Sequence, residues 1–191
     1  MHLRLLKLLT LCFVLTACVM GTSQNAKFYT ITSQPTDSIS ASYKSFVGVT
    51  RIQAPKYMDR PQIVTQNQNS PEMVVSEYNR WVENPSVLAT RALVENLSAL
   101  LPSAQIKMDS FGLEKFDKVV SVEIVKMNAI FGEKATLEVW YTIKNKNGKL
   151  LTHQKFIDSV KIGNNYDDLA VGYSHLLGGL SQDIARNLIE K

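Results

Sequence analysis

The chain has 191 residues, 45% hydrophobic and 20% charged, with nine Gly and six Pro. That composition suits one globular domain with a core and excludes a disordered or fibrous chain. The formal net charge is +4, but Arg4 and Lys7 lie in the first seventeen residues; without them 19 basic residues face 17 acidic ones. No Lys/Arg run appears, so nucleic acid is not an expected partner.

The N-terminus reads as an address. Arg4 and Lys7 precede the apolar run Leu8–Leu15. This run is too short to span a bilayer, which needs about 20 residues, and fits a secretory signal. Leu15-Thr16-Ala17-Cys18 follows, in the pattern of a bacterial lipobox: aliphatic, small, small, Cys. A signal peptidase needs small residues before its cut, and the Cys18 thiol is the nucleophile that carries a diacylglycerol. The alternative is an ordinary signal peptide or a hydrophobic anchor with a chance cysteine. On the lipobox reading, residues 1–17 are removed with Cys12, and Cys18 begins a 174-residue mature chain. Neither cysteine is then left for a disulfide or metal. Several acyl chains on one residue anchor firmly. Residues 18–26 are the lipidated Cys and a short tether; at about 3.3 Å per residue the tether spans roughly 25 Å at most. Val19, not Asp, follows the cysteine, which favours the outer membrane, with the domain on its periplasmic face.

Residues 27–191 form the expected domain. Lys27–Thr32 alternates as a strand, and 33–45 is a Ser/Thr-rich loop. Phe46–Ile52 is a second strand, Ala54–Pro61 a Pro-bounded connection, and Gln62–Thr65 and Glu72–Ser76 are short strands around the polar turn 66–71. Glu77–Asn84 carries Tyr78 and Trp81. Pro85 suits a helix start. The following residues put Leu93, Val94, Leu97, Leu100 and Leu101 on one face until Pro102 stops the helix. Ala104–Met108 is a strand. Lys118–Asn128 should bury Val120, Val122 and Ile124. Lys134–Lys144 alternates Ala135, Leu137, Val139, Tyr141 and Ile143 against polar residues, and the turn Asn145–Gly148 pairs it antiparallel with Lys149–Ile162. Asn164 or Asn165 caps a last helix, with Asp167 and Asp168 in its first turn. In it Leu169, Tyr173, Leu176, Leu180, Ile184 and Leu188 recur at spacings of 3 to 4. The expected fold is a single α/β domain: a mixed β-sheet with an antiparallel meander and two main helices packed on it.

Catalytic chemistry finds no seat in this pattern. The mature chain has two histidines, His153 and His175, without an HExxH or CxxC companion, and contains neither GxSxG nor a Walker A loop. Acidic pairs such as Asp158 with Glu123 or Glu138 read as solvated charge on strand faces. Gly178-Gly179 in the last helix reads as a close helix-to-sheet contact or, more weakly, a packing face for another subunit. The chain is therefore expected to be no enzyme, with no cofactor and no metal.

Two blocks remain. FVGVTRIQAPKYMDRPQIVT runs from Phe46 to Thr65, and EMVVSEYNRWVENPSVLATRALVENLSALLP from Glu72 to Pro102. They resemble the PqiC-like family of ABC-type transport auxiliary lipoproteins, in which "VGV…P.YLDRPQIV" precedes "EFDRWAEPL…LAENLSALLP". The matching residues include Val47, Gly48, Val49, Pro55, Tyr57, Asp59, Arg60, Pro61, Gln62, Ile63 and Val64. In the second block they include Glu77, Arg80, Trp81, Glu83, Leu93 and the Glu95-Asn96-Leu97-Ser98 run. Met58 stands where Leu is usual, Tyr78-Asn79 replaces Phe-Asp, and Asn84-Pro85 replaces Pro-Leu. The resemblance implies an α/β domain that serves an MCE-type lipid transport system at the outer membrane. Its implied partners are an MCE-domain or ABC transporter component, outer-membrane lipid, and further copies of the chain in a homo-oligomeric ring.

Residue chemistry adds contact candidates. Pro61 holds Arg60 extended, and a guanidinium on a stiff loop can fork onto a carboxylate or a lipid phosphate. Tyr57, Tyr78 and Trp81 offer large amphipathic area. The candidates are Tyr57, Asp59, Arg60, Pro61, Arg80 and Trp81. Equally, Asp59–Arg60 and Glu77–Arg80 are candidate internal pairs, with Trp81 covering the core. A lipoprotein that binds and shuttles lipid in its own apolar cavity is the alternative function. The lipobox generates a direct test: Cys18→Ala should leave the protein unlipidated in the soluble periplasmic fraction, and persistence in the membrane fraction would contradict it.

Overall fold

The computed structural model describes residues 24–34, 37–109 and 115–191. The signal region and Cys18 lie outside the described residues. The strands are β1 Lys27–Tyr29, β2 Phe46–Thr50, β3 Gln62–Gln66, β4 Met73–Trp81, β5 Gln105–Asp109, β6 Lys118–Ile130, β7 Lys134–Asn145 and β8 Leu150–Lys161; the helices are α1 Pro85–Leu100 and α2 Tyr166–Glu190. Together they make a single α/β domain.

The strands divide between two mixed sheets, ordered β5-β2-β6-β7-β8 and β1-β4-β3. The reason is a mismatch in strand length. β2 pairs with β6 only along Lys118–Val120, with one further bridge from Gln53 to Glu123. β6 outruns it, and the β3–β4 hairpin packs beside the remainder without extending the ladder. Asn128 Nδ2 donates to Gln66 Oε1, and Gln68 Nε2 donates to Glu133 Oε1 at 2.6 Å.

The meander follows the alternation closely. Ala135, Leu137, Val139, Tyr141 and Ile143 of β7 are all buried, as are Val120, Val122 and Ile124 of β6. In the β7–β8 turn Gly148 takes φ +76°, a left-handed conformation cheap only for glycine. Asn145 Oδ1 accepts from the backbone N–H of Asn147 and Lys149, both at 3.0 Å.

The helices cover one face of the five-stranded sheet, α2 over the meander strands β7 and β8 and α1 over β2 and β5. All six periodic residues of α2 are buried. Asn165 caps the helix, its side chain accepting from Asp168 N at 2.8 Å. Tyr141 OH donates to Asp183 Oδ2 at 2.7 Å and accepts from Asn187 Nδ2 at 2.9 Å, tying β7 to α2. Gly172 lets the helix approach the sheet closely, since a Cβ there would lie 2.8 Å from Ile162 and 3.2 Å from Val160 of β8. Gly178 instead faces Gln34, and Gly179 stands at ordinary contact distance from Phe156.

Two of the smaller elements depart from their sequence pattern. The first strand stops at Tyr29, because its partner β4 ends at Trp81. The chain then turns onto α2, where Thr32 N donates to Ser174 Oγ at 3.1 Å. β4 runs to Trp81 rather than Ser76, because β1 supplies a second partner at Asn79–Trp81.

Asn96 of α1 joins these pieces. It is 0% exposed, its Oδ1 accepts from Gln34 N at 2.8 Å, and its Nδ2 donates to Ser181 Oγ of α2 at 3.1 Å. A buried amide costs stability unless it is paired, and removing it strands its partners. Asn96→Ala should therefore lower the unfolding free energy by about 1–3 kcal/mol in urea titration. An unchanged midpoint would show that these bonds contribute nothing net.

Candidate functional site

The loop between β2 and β3 is held from below. Met58 N and Asp59 N both donate to Pro55 O at 3.0 Å, Arg60 N donates to Met58 O at 2.9 Å, and the Met58 side chain is buried. Tyr57, its neighbour, is exposed. Partial burial raises the Tyr57 pKa, so its hydroxyl stays neutral.

Asp59 turns inward to the start of α1. Its Oδ1 accepts from Ser86 N and its Oδ2 from Ser86 Oγ, both at 3.0 Å. The preceding Asn84 makes no side-chain capping bond, so Asp59 caps the helix from 27 residues away in sequence. A carboxylate at a helix N-terminus also meets the positive end of its dipole. Arg51 completes the cluster, with Nη2 donating to Ser86 Oγ at 2.9 Å and lying 3.7 Å from Asp59 Oδ2. Asp59 thus pairs with Arg51, not with its neighbour Arg60.

Arg60 and Arg80 converge. Gln62 pairs in register with Arg80, and Arg60 Nε donates to Gln62 Oε1 at 3.1 Å. Arg80 Nε donates to the Glu77 backbone carbonyl at 3.1 Å, not to its carboxylate. Both arginines line an open depression of about 650 Å³ with Gln62, Val75, Ser76, Glu77, Tyr78 and the tether-proximal Gln24 and Ala26. The described ion pairs join other side chains: Arg51 with Asp59, Arg91 with Glu83, and Lys155 with Glu138.

Trp81 lies on the other side of the strand. It is buried, its ring centroid 6.2 Å from that of Tyr173, so it covers the core. Pro61 is exposed and its carbonyl accepts from Trp81 N. Of the six candidates, the structure brings Arg60 and Arg80 together at the surface and turns Asp59 and Trp81 inward.

Sequence reasoning passed over Met73, Val74 and Val75, which are exposed beside this depression. The available signal was an apolar run on both phases of a strand, which marks either full burial or an uncovered edge. The two histidines stay apart. His153 stacks flat on Trp140 with ring centroids 4.7 Å apart, and His175 is exposed on α2. A second depression of similar volume, about 650 Å³, lies around Lys115, Asp117, Lys144 and Lys146 at the far end of β6 and β7. It contains none of the candidate residues.

The model of the ABC-type transport auxiliary lipoprotein component family matches residues 29–185. The chain belongs to that family. Two solved structures share the fold of this auxiliary-lipoprotein domain. One, a crystal structure of an uncharacterised protein, is 17% identical, with a TM-score of 0.71 over 86% of this chain and 99% of that one. The other, protein XCC0632 from Xanthomonas campestris, is 14% identical, with a TM-score of 0.68 over 85% of this chain and 95% of that one. No curated protein matches the chain. In the auxiliary-lipoprotein fold the two sequence blocks become neighbours. The first spans β2, the Pro-bounded loop and β3, and the second spans β4 and α1. Asp59 and Ser86 are the point at which they lock.

If Asp59 is a helix cap, Asp59→Ala should cost about 1–2 kcal/mol in chemical denaturation, and Asp59→Asn should recover part of that loss. A loss of partner binding without any loss of stability would instead mark Asp59 as a contact residue.

Proposed function

We propose that this auxiliary lipoprotein is anchored through Cys18 to the periplasmic face of the outer membrane and serves, without catalysis, an ABC/MCE-type lipid transport system. Its contact with the MCE-domain or transporter component is made through the Arg60–Arg80 depression. One observation carries this reading: two guanidiniums share a surface depression beside the tether, and neither has a carboxylate partner among the described residues. Guanidiniums fork onto carboxylates or phosphates with strong, charge-assisted geometry. Tether residues Gln24 and Ala26 line the same depression, so on this reading the contact forms close to the lipid anchor.

The lipid-shuttle alternative needs a large apolar interior. Here the interior is occupied by side chains such as Tyr141, Leu93, Leu97, Leu137 and Leu176, and the two depressions of about 650 Å³ open to solvent. That supports the contact reading over the shuttle.

The test is a pull-down from solubilised envelope with the wild type and Arg60→Ala. The wild type should recover an MCE-domain protein, and Arg60→Ala should recover markedly less. Failure of the wild type to recover any transporter component would sink the proposal.

A further inference from the structure

An irregular stretch of β4 builds the Arg60–Arg80 depression. β3 advances two residues, from Gln62 to Val64, while β4 advances five, from Val75 to Arg80, so β4 carries three extra residues there. Extra residues of this kind bend a strand and re-aim its side chains. Here the chain folds back on itself. Asn79 N and Asn79 Nδ2 both donate to Ser76 Oγ at 3.0 Å, and Arg80 Nε donates to Glu77 O at 3.1 Å. Arg80 comes opposite Gln62, whose Oε1 accepts from Arg60 Nε at 3.1 Å.

The two guanidiniums are held in the same way. Each uses its Nε on a neutral oxygen, and neither pair of Nη groups has a partner among the described residues. A carboxylate meets a guanidinium side-on, through Nε and one Nη, or end-on, through both Nη groups. With Nε occupied, the end-on fork remains. The neighbours in the lining are donors too. An arginine cannot accept, so the Gln62 atom facing Arg60 is the oxygen, and the amide N–H groups are left over. Ser76 Oγ already accepts twice, which leaves its O–H to donate. Against these stands one lining acid, Glu77, and residues 19–26 of the tether (VMGTSQNA) add no Asp or Glu. Two like charges on one depression repel, and a bound oxyanion relieves that repulsion.

The surroundings favour a protein carboxylate over a lipid phosphate. Basic segments that hold to anionic lipid carry clusters of about four to eight Lys or Arg. The depression has two, and residues 19–26 add none. Arginine beside an exposed tyrosine, Tyr78, is instead the composition of a protein contact. We infer that Arg60 and Arg80 form a two-forked clamp for a pair of carboxylates on the transporter's periplasmic protein, and that Gln62 is the positioning residue that holds Arg60 for it. Forks, not charge alone, make the contact selective. This inference rests on the transporter-contact reading above and adds the chemistry that the partner presents.

The experiment uses the full lipidated chain, solubilised from its own envelope, as wild type, Gln62→Glu and Arg80→Lys. Gln154→Glu, at an exposed position of β8, controls for added charge. Recovery of the transporter's periplasmic protein, co-purified phospholipid and melting temperature are measured for each. Gln62→Glu keeps the side-chain shape, sets a carboxylate of the chain's own on Arg60 and removes the amide donor. Arg80→Lys keeps the charge and removes the fork. Each should lower recovery at least about tenfold, and Gln154→Glu should leave it unchanged. A merely structural Gln62 would lose stability together with recovery, whereas the clamp predicts that Gln62→Glu melts at or above the wild type, because Arg60 gains an ion pair. If Gln62→Glu melts early, Arg80→Lys decides alone. Normal recovery with a folded Gln62→Glu or Arg80→Lys overturns the clamp and leaves the transporter contact standing; loss of bound phospholipid from those variants would then mark the oxyanion as a lipid phosphate. An equal loss with Gln154→Glu overturns the clamp as well. If the wild type recovers no transporter component, both readings fall.

Discussion

The arrangement of this domain depends on one buried amide. Asn96 sits between the two helices and also holds the backbone of Gln34. A polar side chain with no access to water must keep its partners, so α1, α2 and the segment after β1 are set against one another as a unit. Gly178 permits the arrangement, because a side chain there would press on Gln34. From Gln34 the chain runs back through Thr32, held by Ser174, to β1 and its short pairing with β4. The place of β1 in the three-stranded sheet is therefore set from the helix interface.

A second lock works from the other side. The loop carrying Arg60 has little regular structure of its own, yet it is fastened by the buried Met58 and by the bonds of Asp59 to the first turn of α1. Asp59 and Arg60 are adjacent and do opposite things. One side chain stabilises a helix terminus, and the other is left at the surface with only an amide for a partner. Rigidity in the loop means that little conformational entropy is lost when Arg60 meets a carboxylate.

The regular elements were legible because their signals are local. The strict alternation of β7 and the 3-to-4 spacing of α2 report burial residue by residue, and the structure buries the same residues. The NKNG turn and the Asn165 cap are legible for the same reason. Less legible was anything that depends on which strand edges meet. A division into two sheets follows from β2 being five residues long beside a thirteen-residue β6, and no periodicity encodes that comparison. Trp81 and Tyr57 look alike as amphipathic aromatics in the sequence, but one covers the core and the other stays at the surface. Asp59 could be paired on paper with Arg60. Only the fold brings Ser86 and Arg51 closer.

By itself the sequence determined the single α/β domain, the meander and both helices, and the two blocks that mark the lipoprotein family. These rest on side-chain chemistry and on spacing within a few residues. Tertiary structure decided that Arg60 and Arg80 share one depression, that Asp59 and Trp81 turn inward, and that Asp59 caps a helix 27 residues away. Each of these depends on contacts between segments far apart in the chain, where packing and strand length, not local propensity, select the partner.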